Sequence, residues 1–339
     1  MEACRATACS GSCLPQCGDT PVLVPPSSAS ACASCISTQC CNLSAACAQD
    51  ADCLATYECL GANDSPDGWA ACTQTLFPRG LNDYEGLESC ILSACPDDCA
   101  YGRNWSCVGH VSWPPAPGPT VTATIQATDA LNQNQGVPGM DAKLCYFTDT
   151  SCANPIDEKT TDKNGDVTFE GPAQNQSGRT GFDGFLLLSD PNYAATDPNR
   201  YLPALLHAFP PLTASNVVRQ VIMATNGTLD QLAGLVNLKL DPSRGMAVLS
   251  VSDCVGRRAP GISFKVTPAD PVTQILYLKG TFVDRYATAT DKLGDALIAN
   301  LPVGPFTVTA TSPDAGQVAV VPAYARANTV SLVVVPPTP

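Results

Sequence analysis

Apolar residues recur at two spacings along this chain, one typical of helices and one typical of strands. From Ser30 to about residue 99 they follow gaps of three to six residues among many alanines, as in short helices that face a neighbour. A first helix is predicted to begin near Ser30, whose hydroxyl can cap free amides. Asp50 is predicted to cap a second helix, whose apolar side chains are Cys53, Leu54, Tyr57 and Leu60.

Two more helical stripes follow a predicted turn at Asn63–Gly68 (NDSPDG). The third stripe consists of Trp69, Cys72, Leu76 and Phe77. A fourth helix is predicted to open at Asn82 or Asp83 and to end before Pro96. Its apolar face holds Leu87, Cys90, Ile91, Ala94 and Cys95. The prediction for this region is a small helical bundle cross-linked by disulfides.

After the stiff, proline-rich spacer Trp113–Pro119 (WPPAPGP), the apolar period changes to two. Strands are predicted at Thr120–Thr128 and Met140–Phe147, where apolar and polar residues alternate. Further strands are predicted at Val167–Phe169, Phe182–Ser189, Tyr201–Phe209, Val217–Met223, Met246–Ser252, Gly261–Val266, Gln274–Leu278, Ala296–Ala299, Phe306–Thr311, Gln317–Val321 and Thr329–Val335. A capped helix at Thr228–Val236 is predicted to connect the two sets of strands, with Leu229, Leu232, Ala233 and Val236 inward.

An internal repeat lies within the β-rich part. Thr161–Asp166 reads TDKNGD and Thr290–Asp295 reads TDKLGD, and each follows a strand that begins after a Pro-Gly pair, Pro138-Gly139 or Pro260-Gly261. Two copies of one sandwich-like unit explain this order. The predicted fold class is multidomain: an N-terminal disulfide-rich small α-helical domain followed by two all-β sandwich domains. The predicted divisions are 1–31 (arm and linker), 32–112 (helical domain), 113–119 (Pro-rich linker), 120–225 (first sandwich), 226–244 (connecting segment) and 245–339 (second sandwich).

The cysteines are concentrated in the helical part, because 12 of the 19 lie between Ser30 and Cys107 and four more lie upstream. This density favours an oxidising, extracytoplasmic compartment. Cys145 and Cys152 are spaced for a local disulfide, but the pairing of the others cannot be read from spacing, and the odd total leaves at least one free or paired between chains. The alternative is a metal site, since Cys32 with Cys35 and Cys95 with Cys99 have spacings near that of a zinc knuckle; no histidine lies in the block, however.

The net charge of −13 argues against two classes of partner. Residues 1–118 hold three Arg, no Lys and 12 Asp or Glu, so nucleic acid and anionic lipid are not expected to bind. No apolar run of about 18 residues occurs, so no transmembrane segment is predicted. The opening MEACRATACSGSC lacks the regions of a signal peptide and is interpreted as the start of a processed or recombinant form.

The second copy of the repeat resembles the carboxypeptidase regulatory-like family, small seven-stranded sandwiches related to transthyretin. The residues that carry the resemblance are Pro260-Gly261-Ile262, Thr290–Asp295 and Asn300–Gly304 (NLPVG) with the alternating strand Phe306–Ala310. In the first copy, Glu170-Gly171-Pro172 departs from the NLPxG pattern. The cysteine block is similar to helical, disulfide-rich regions of secreted proteins and lipoproteins from myxobacteria-like species. Because the family's members are accessory modules without catalytic residues, the resemblance implies a non-enzymatic role.

A search for catalytic patterns leads to the same expectation. The chain has no GxSxG, GxxxxGK[ST], HExxH or HxxE. His207 lies in an apolar strand and is interpreted as a core or edge histidine, and His110 as a solvated one. Gly165 is the fourth residue of its loop, whereas a calcium loop needs it sixth, so Asn164-Gly165 is predicted to form a hairpin turn; a weak calcium site there is left open. No catalytic, metal or cofactor-binding residue is predicted, and no cofactor.

The leading hypothesis is a non-enzymatic secreted or outer-surface protein that presents two β-sandwich modules for adhesion, scaffolding or ligand binding. Its expected partner is a protein or glycan at the cell surface. Trp105 and Trp113 have two interpretations: an exposed sticky patch or, as favoured here, packing of one or both of them between the bundle and the sandwich. One alternative is a structural subunit of a surface assembly, a homo-oligomer in which Thr329–Val335 pairs with a neighbouring subunit. A second alternative is a hydrolase whose site is assembled from distant residues.

Overall fold

A computed structural model of the chain describes residues 16–17, 20–23, 30–62, 72, 81–95, 98–99, 103–111, 118–132, 135–174, 181–209, 211–213, 217–254, 256–279 and 282–338. Two compact units contain them, with the helices before residue 101 in one and all strands from residue 120 onward in the other. The predicted fold class is confirmed, because disulfide-linked helices precede two β-sandwiches.

Among its described residues, the helical unit contains four helices and one two-stranded sheet. They are β1 (Gln16–Cys17), β2 (Thr20–Pro21), α1 (Ser30–Gln39), α2 (Cys41–Gln49), α3 (Ala51–Ala62) and α4 (Leu81–Ala94). The predicted helix start at Ser30 is confirmed. So is the predicted cap, since the Asp50 carboxylate accepts a hydrogen bond from the Cys53 amide at 2.6 Å.

Disulfides replace much of the hydrophobic core in this unit. In the described part of the helices, the large buried aliphatic side chains are Ile36, Leu87 and Ile91. Three disulfides join the α1 region to the α4 region: Cys32–Cys99, Cys35–Cys95 and Cys40–Cys90. Later cysteines of the α1 region pair with earlier cysteines of the α4 region, as expected for antiparallel helices. Cys47–Cys53 links α2 to α3, and Cys41 and Cys59 are also disulfide-bonded.

Some predictions for this region are wrong or lie outside the described residues. Ala94 was predicted on the buried face of α4 but is exposed, because it is at the last turn, where the chain leaves the helix. The predicted turn Asn63–Gly68 lies outside the described residues. So do the remaining members of the third stripe, the arm cysteines upstream of residue 16 and the proline-rich spacer up to residue 117.

In the part of the chain that the structure describes, the first sandwich has seven strands in two layers. The strands are β3 (Thr120–Asp129), β4 (Asp141–Tyr146), β5 (Asp157–Thr160), β6 (Asp166–Pro172), β7 (Gly184–Ser189), β8 (Ala204–His207) and β9 (Val217–Met223). One layer has the order β6-β3-β9 and the other the order β5-β4-β7-β8. The predicted disulfide Cys145–Cys152 is confirmed beside β4. The predicted connecting helix is also present, as α5 (Asn226–Leu235), capped by Thr225.

The second sandwich repeats this arrangement. Its strands are β10 (Gly245–Val251), β11 (Ser263–Thr267), β12 (Gln274–Lys279), β13 (Phe282–Asp284), β14 (Asp295–Leu301), β15 (Gly304–Ser312), β16 (Gly316–Ala325) and β17 (Val330–Val335). In the first copy, β3 pairs antiparallel with β6 and parallel with β9; in the second, β10 pairs antiparallel with β14 and parallel with β17. The sequence repeat therefore corresponds to a structural repeat.

The two sandwiches share one sheet. Strand β17 pairs with β10 of its own module and, on its other edge, in parallel with β8 of the first module, where Val330 lies opposite Ala204 and Leu332 opposite Leu206. The result is a nine-stranded sheet of order β13-β12-β14-β10-β17-β8-β7-β4-β5. The alternative hypothesis pairs Thr329–Val335 with a neighbouring subunit. Residues 330–332 are instead paired on both edges within the chain, with β10 and with β8, and residues 333–335 are paired with β10 on one edge.

Residues 103–111 are fastened to the second sandwich, although the first sandwich follows them in sequence. The disulfide Cys107–Cys254 joins the two segments. The Cys254 amide donates to the Asn104 carbonyl at 2.8 Å, and Trp105 packs against the core of the second sandwich. Trp105 is therefore a packing residue within the β unit.

Candidate functional site

Strand β9 directs an arginine into the first sandwich. Val221 and Met223 are buried and Ile222 between them is exposed, so the odd-numbered positions of β9 face inward. Arg219 is the preceding odd-numbered residue, and it lies opposite Ile125 of β3. A cation therefore occupies a position that is otherwise apolar.

Arg219 lines a cavity of about 30 Å³ between the two layers of the first sandwich. Apolar side chains from both layers form the rest of the wall, including Ala123, Ile125, Phe169, Leu144, Leu186 and Leu206. Val334 of β17 also lines the cavity, so the shared sheet brings a residue of the second module to it. Binding cavities often occur where two modules meet.

The guanidinium of Arg219 has no hydrogen-bond or ion-pair partner among the residues that the structure describes. Removal from solvent lowers the pKa of Arg219 from its ordinary value. Arginine nevertheless stays protonated in proteins, so the cavity wall carries a positive charge without a counter-ion. Arg219 is half-buried, so its charge is partly desolvated, and an anion placed against it would gain a charge-assisted pair.

The lining favours binding over catalysis. Arg219 cannot serve as a general base at neutral pH, because it holds its proton too tightly. His207 of β8 is also one of the lining residues, but its ring lies on the opposite face of the strand from Leu206, next to Phe185. A bound molecule would therefore meet apolar side chains and one fixed cation.

His207 connects the two modules at their junction. Its ring is 4% exposed and lies 6.2 Å from the Phe185 ring, measured between centroids. Nε2 lies 3.3 Å from the carbonyl oxygen and 3.4 Å from the amide nitrogen of Tyr324 in β16, whereas Nδ1 has no partner within the described part of the chain. Burial lowers the pKa of His207 to about 4, opposed by the Tyr324 carbonyl and assisted by the positive charge of Arg326. The imidazole is therefore neutral at neutral pH.

In the acidic loop Thr161–Asp166, considered above as a weak calcium site, the Asp162 carboxylate is hydrogen-bonded within the loop. One oxygen of Asp162 accepts the amides of Asn164 at 2.8 Å and Asp166 at 2.9 Å. Gly165 has φ +81°, as the predicted hairpin turn requires. Burial and the nearby Asp162 raise the pKa of Asp166.

The zinc-knuckle alternative is wrong for the four cysteines that suggested it, because Cys32 and Cys35 are bonded to Cys99 and Cys95 as disulfides. Within the described ranges, no group of three or more His, Cys, Asp or Glu residues could hold a metal ion. His110 is exposed. None of the described helices is both long enough and apolar enough to cross a membrane.

Among the comparisons with known proteins, only the one with solved structures found similar proteins. No protein-family model matches the chain, and no curated protein matches it. The chain is similar to the shaft pilin SpaA from Lactobacillus rhamnosus GG, with 15% identity, 65% of this chain and 98% of that one covered, and a TM-score of 0.23. It is similar to the Bacillus anthracis TIE protein, with 12% identity, 65% and 34% coverage and a TM-score of 0.22. A Streptococcal ancillary pilin gives 12% identity, 66% and 64% coverage and a TM-score of 0.21.

The chain thus spans about a third of the length of the TIE protein. At these TM-scores the likenesses assign no function. The carboxypeptidase regulatory-like resemblance is not matched by a family model.

Proposed function

We propose that this chain is a non-enzymatic secreted or outer-surface protein that presents a rigid pair of β-sandwich modules for adhesion, scaffolding or ligand binding. The observation that carries the proposal is the nine-stranded sheet, in which β17 is hydrogen-bonded to strands of both modules. Modules joined by a linker alone move relative to each other, whereas a shared sheet fixes their angle. Fixed geometry suits display of a surface better than closure over a substrate.

The disulfides support the extracytoplasmic part of the proposal. Fifteen described cysteines are disulfide-bonded, and they occur in the helical unit and in both sandwiches. Such bonds persist in oxidising compartments and are rare where glutathione keeps thiols reduced. The acidic charge, −13 overall, keeps a surface protein soluble and away from anionic polymers.

The path of the chain favours the first sandwich as the displayed module. Residues 103–111 are bonded to the second sandwich through Cys107–Cys254, and the Gly109 amide donates to the Thr338 carbonyl at 3.4 Å. The chain thus contacts the second sandwich at residues 103–111, then forms the first sandwich, and then returns to form the second. The first sandwich is therefore an insertion relative to the second. A carboxypeptidase regulatory-like role as an accessory module belongs to the same proposal, with a cell-surface protein or glycan as its partner.

Two measurements on the full chain, purified without reductant, test this proposal. The chain should turn over no member of a panel of peptides, esters and glycans, and antibodies should find it outside the cytosol in fractionated cells. Turnover that follows the protein through two unrelated purification steps would contradict the non-enzymatic role. A predominantly cytosolic, reduced protein would contradict the surface role.

A further inference from the structure

We propose that the cavity of the first sandwich binds short-chain aliphatic monocarboxylates, with the carboxylate against Arg219 and the hydrocarbon tail between the two layers. This inference rests on the proposed function, because it names a ligand class for a non-catalytic binding module.

The charge of the site selects an anion. Arg219 stands on the inward face of β9 beside Ile125, and the described residues that line the cavity include no Asp or Glu. An anion that reaches the half-buried guanidinium gains a charge-assisted, bidentate pair. Carboxylate geometry matches the planar guanidinium, which presents two parallel N–H donors.

The walls select an apolar, uncharged tail. Ala123, Ile125, Leu144, Phe169 and Leu186 offer no hydrogen-bonding side-chain group. A hydroxyl or a second carboxylate on the tail would lose its hydration without finding a partner, so hydroxy acids and dicarboxylates are disfavoured. Ammonium compounds are disfavoured by repulsion from Arg219.

The volume limits the length of the tail. A water-sized group needs about 10 to 15 Å³ of cavity volume. The cavity of about 30 Å³ therefore accepts two or three such groups. The limit applies to the tail beyond the carboxylate carbon. The tails of propionate and butyrate, with two and three carbons, fit it. The single methyl group of acetate leaves part of the cavity empty, and the seven-carbon tail of octanoate exceeds it.

The probe is sodium butyrate, titrated into the full chain labelled with ¹³C in its methyl groups. Saturable shifts should appear at methyl groups of Leu144, Leu186 and Ile125. Affinity should rise about fourfold for each methylene from acetate to butyrate, since burying a methylene gains about 0.8 kcal/mol, and it should fall at octanoate. Butyramide, which has the same shape without the charge, should bind at least about tenfold more weakly.

Variants separate the cavity from nonspecific anion binding. Arg219→Gln should reduce butyrate affinity at least about tenfold, because the charge-assisted pair is lost. Arg285→Gln removes an exposed arginine of the second sandwich and should leave the affinity unchanged. Arg219→Met keeps the length of the side chain without its charge, so it provides a second folded variant if Arg219→Gln unfolds. Ala123→Val narrows the cavity and should weaken butyrate more than acetate.

Equal binding by the wild type and Arg219→Gln would overturn the proposal. So would the absence of saturable shifts at the cavity methyl groups, or equal affinity for butyrate and butyramide. These outcomes are distinct from failure of the proposed function, because enzymatic turnover or a cytosolic location would leave butyrate binding at Arg219 intact.

Discussion

Thr161 and Thr290 make the same pair of buried hydrogen bonds in the two sandwiches. Each hydroxyl donates to a carbonyl ahead of the Pro-Gly turn and accepts an amide after it. The partners are Val137 (2.8 Å) and Met140 (2.9 Å) in the first sandwich, and Ala259 (2.8 Å) and Ile262 (3.0 Å) in the second. The first threonine of the repeated TD motif therefore fixes the start of the second strand in both copies.

Replacing either threonine by valine should destabilise its own sandwich by about 2 to 4 kcal/mol, because a buried carbonyl and a buried amide both lose their partner. Urea unfolding followed through the methyl resonances of the two cores measures this cost. Thr309→Val, at a half-buried strand position of the second sandwich, is the matched control and should change stability by less than about 0.5 kcal/mol. Equal effects at Thr290 and Thr309 would show that the hydroxyl bonds do not matter.

Two glycines of the second sandwich should respond differently to substitution by alanine. Gly294 and Gly261 both have positive φ, +71° and +77°. A Cβ at Gly294 would lie 2.6 Å from the Val251 carbonyl oxygen, whereas one at Gly261 would meet nothing within 4 Å. Gly261→Ala should cost about 1 to 2 kcal/mol from the backbone conformation alone. Gly294→Ala should cost at least about 1 kcal/mol more, because the backbone must also shift. Thermal unfolding of the two variants compares the costs.

Acid should weaken the junction through His207. Its pKa is lowered from 6.5 to about 4 in the folded state, so the unfolded chain takes up the proton first as pH falls. The contribution of His207 to the free energy of unfolding is therefore complete above about pH 6.5. It is lost as the pH falls toward about 4, by up to roughly 3 kcal/mol. The neighbouring charges are Arg326 and, near it, Asp149.

His207→Gln isolates this effect, because the loss of stability between pH 6.5 and pH 4 should be smaller in the variant than in the wild type. His110→Gln, at the exposed histidine, should follow the wild-type curve. Parallel curves for the wild type and His207→Gln would contradict the account of the junction.

Removing Cys107–Cys254 should release residues 103–111 from the second sandwich. The bond closes a loop with a sequence separation of 147 residues, for which chain entropy predicts about 3 to 5 kcal/mol. In the double variant Cys107→Ser/Cys254→Ser, hydrogen exchange should accelerate at the Cys254-position amide, which donates to Asn104, and across 103–111. Removing Cys47–Cys53, whose separation is 6, should leave exchange in that segment unchanged.

Alternation predicted most strands because each has one buried face. In β3, Val121, Ala123, Ile125 and Ala127 are buried as expected. Strand β5, which reads DEKT, was not predicted, because it lies at the edge of its sheet and buries no apolar row. The edge strand β13 was missed because it is only 3 residues long. The predicted strand Tyr201–Phe209 is shorter, Ala204–His207, since Pro203 has no amide to donate.

The joining of the modules and the cavity could not be derived from local pattern. The strand beside β17 is β8, whose residues are more than a hundred positions away in the sequence. Alternation within a strand does not predict which distant strand will be its neighbour. Arg219 did leave a signal, because it is a charged residue in the mainly apolar predicted strand Val217–Met223, although the sequence VVRQVIM does not show which face is inward. Residues that break a pattern in this way are candidates for function.

Residual dipolar couplings of the full chain test the central claim, that the shared sheet makes the two sandwiches one rigid body. Couplings from β3, β4, β6 and β7 and those from β10, β14, β15 and β16 should fit one alignment tensor, with the relative orientation that the parallel β8–β17 pairing fixes. Two tensors of different magnitude or orientation would mean that the modules move independently, and would contradict the account.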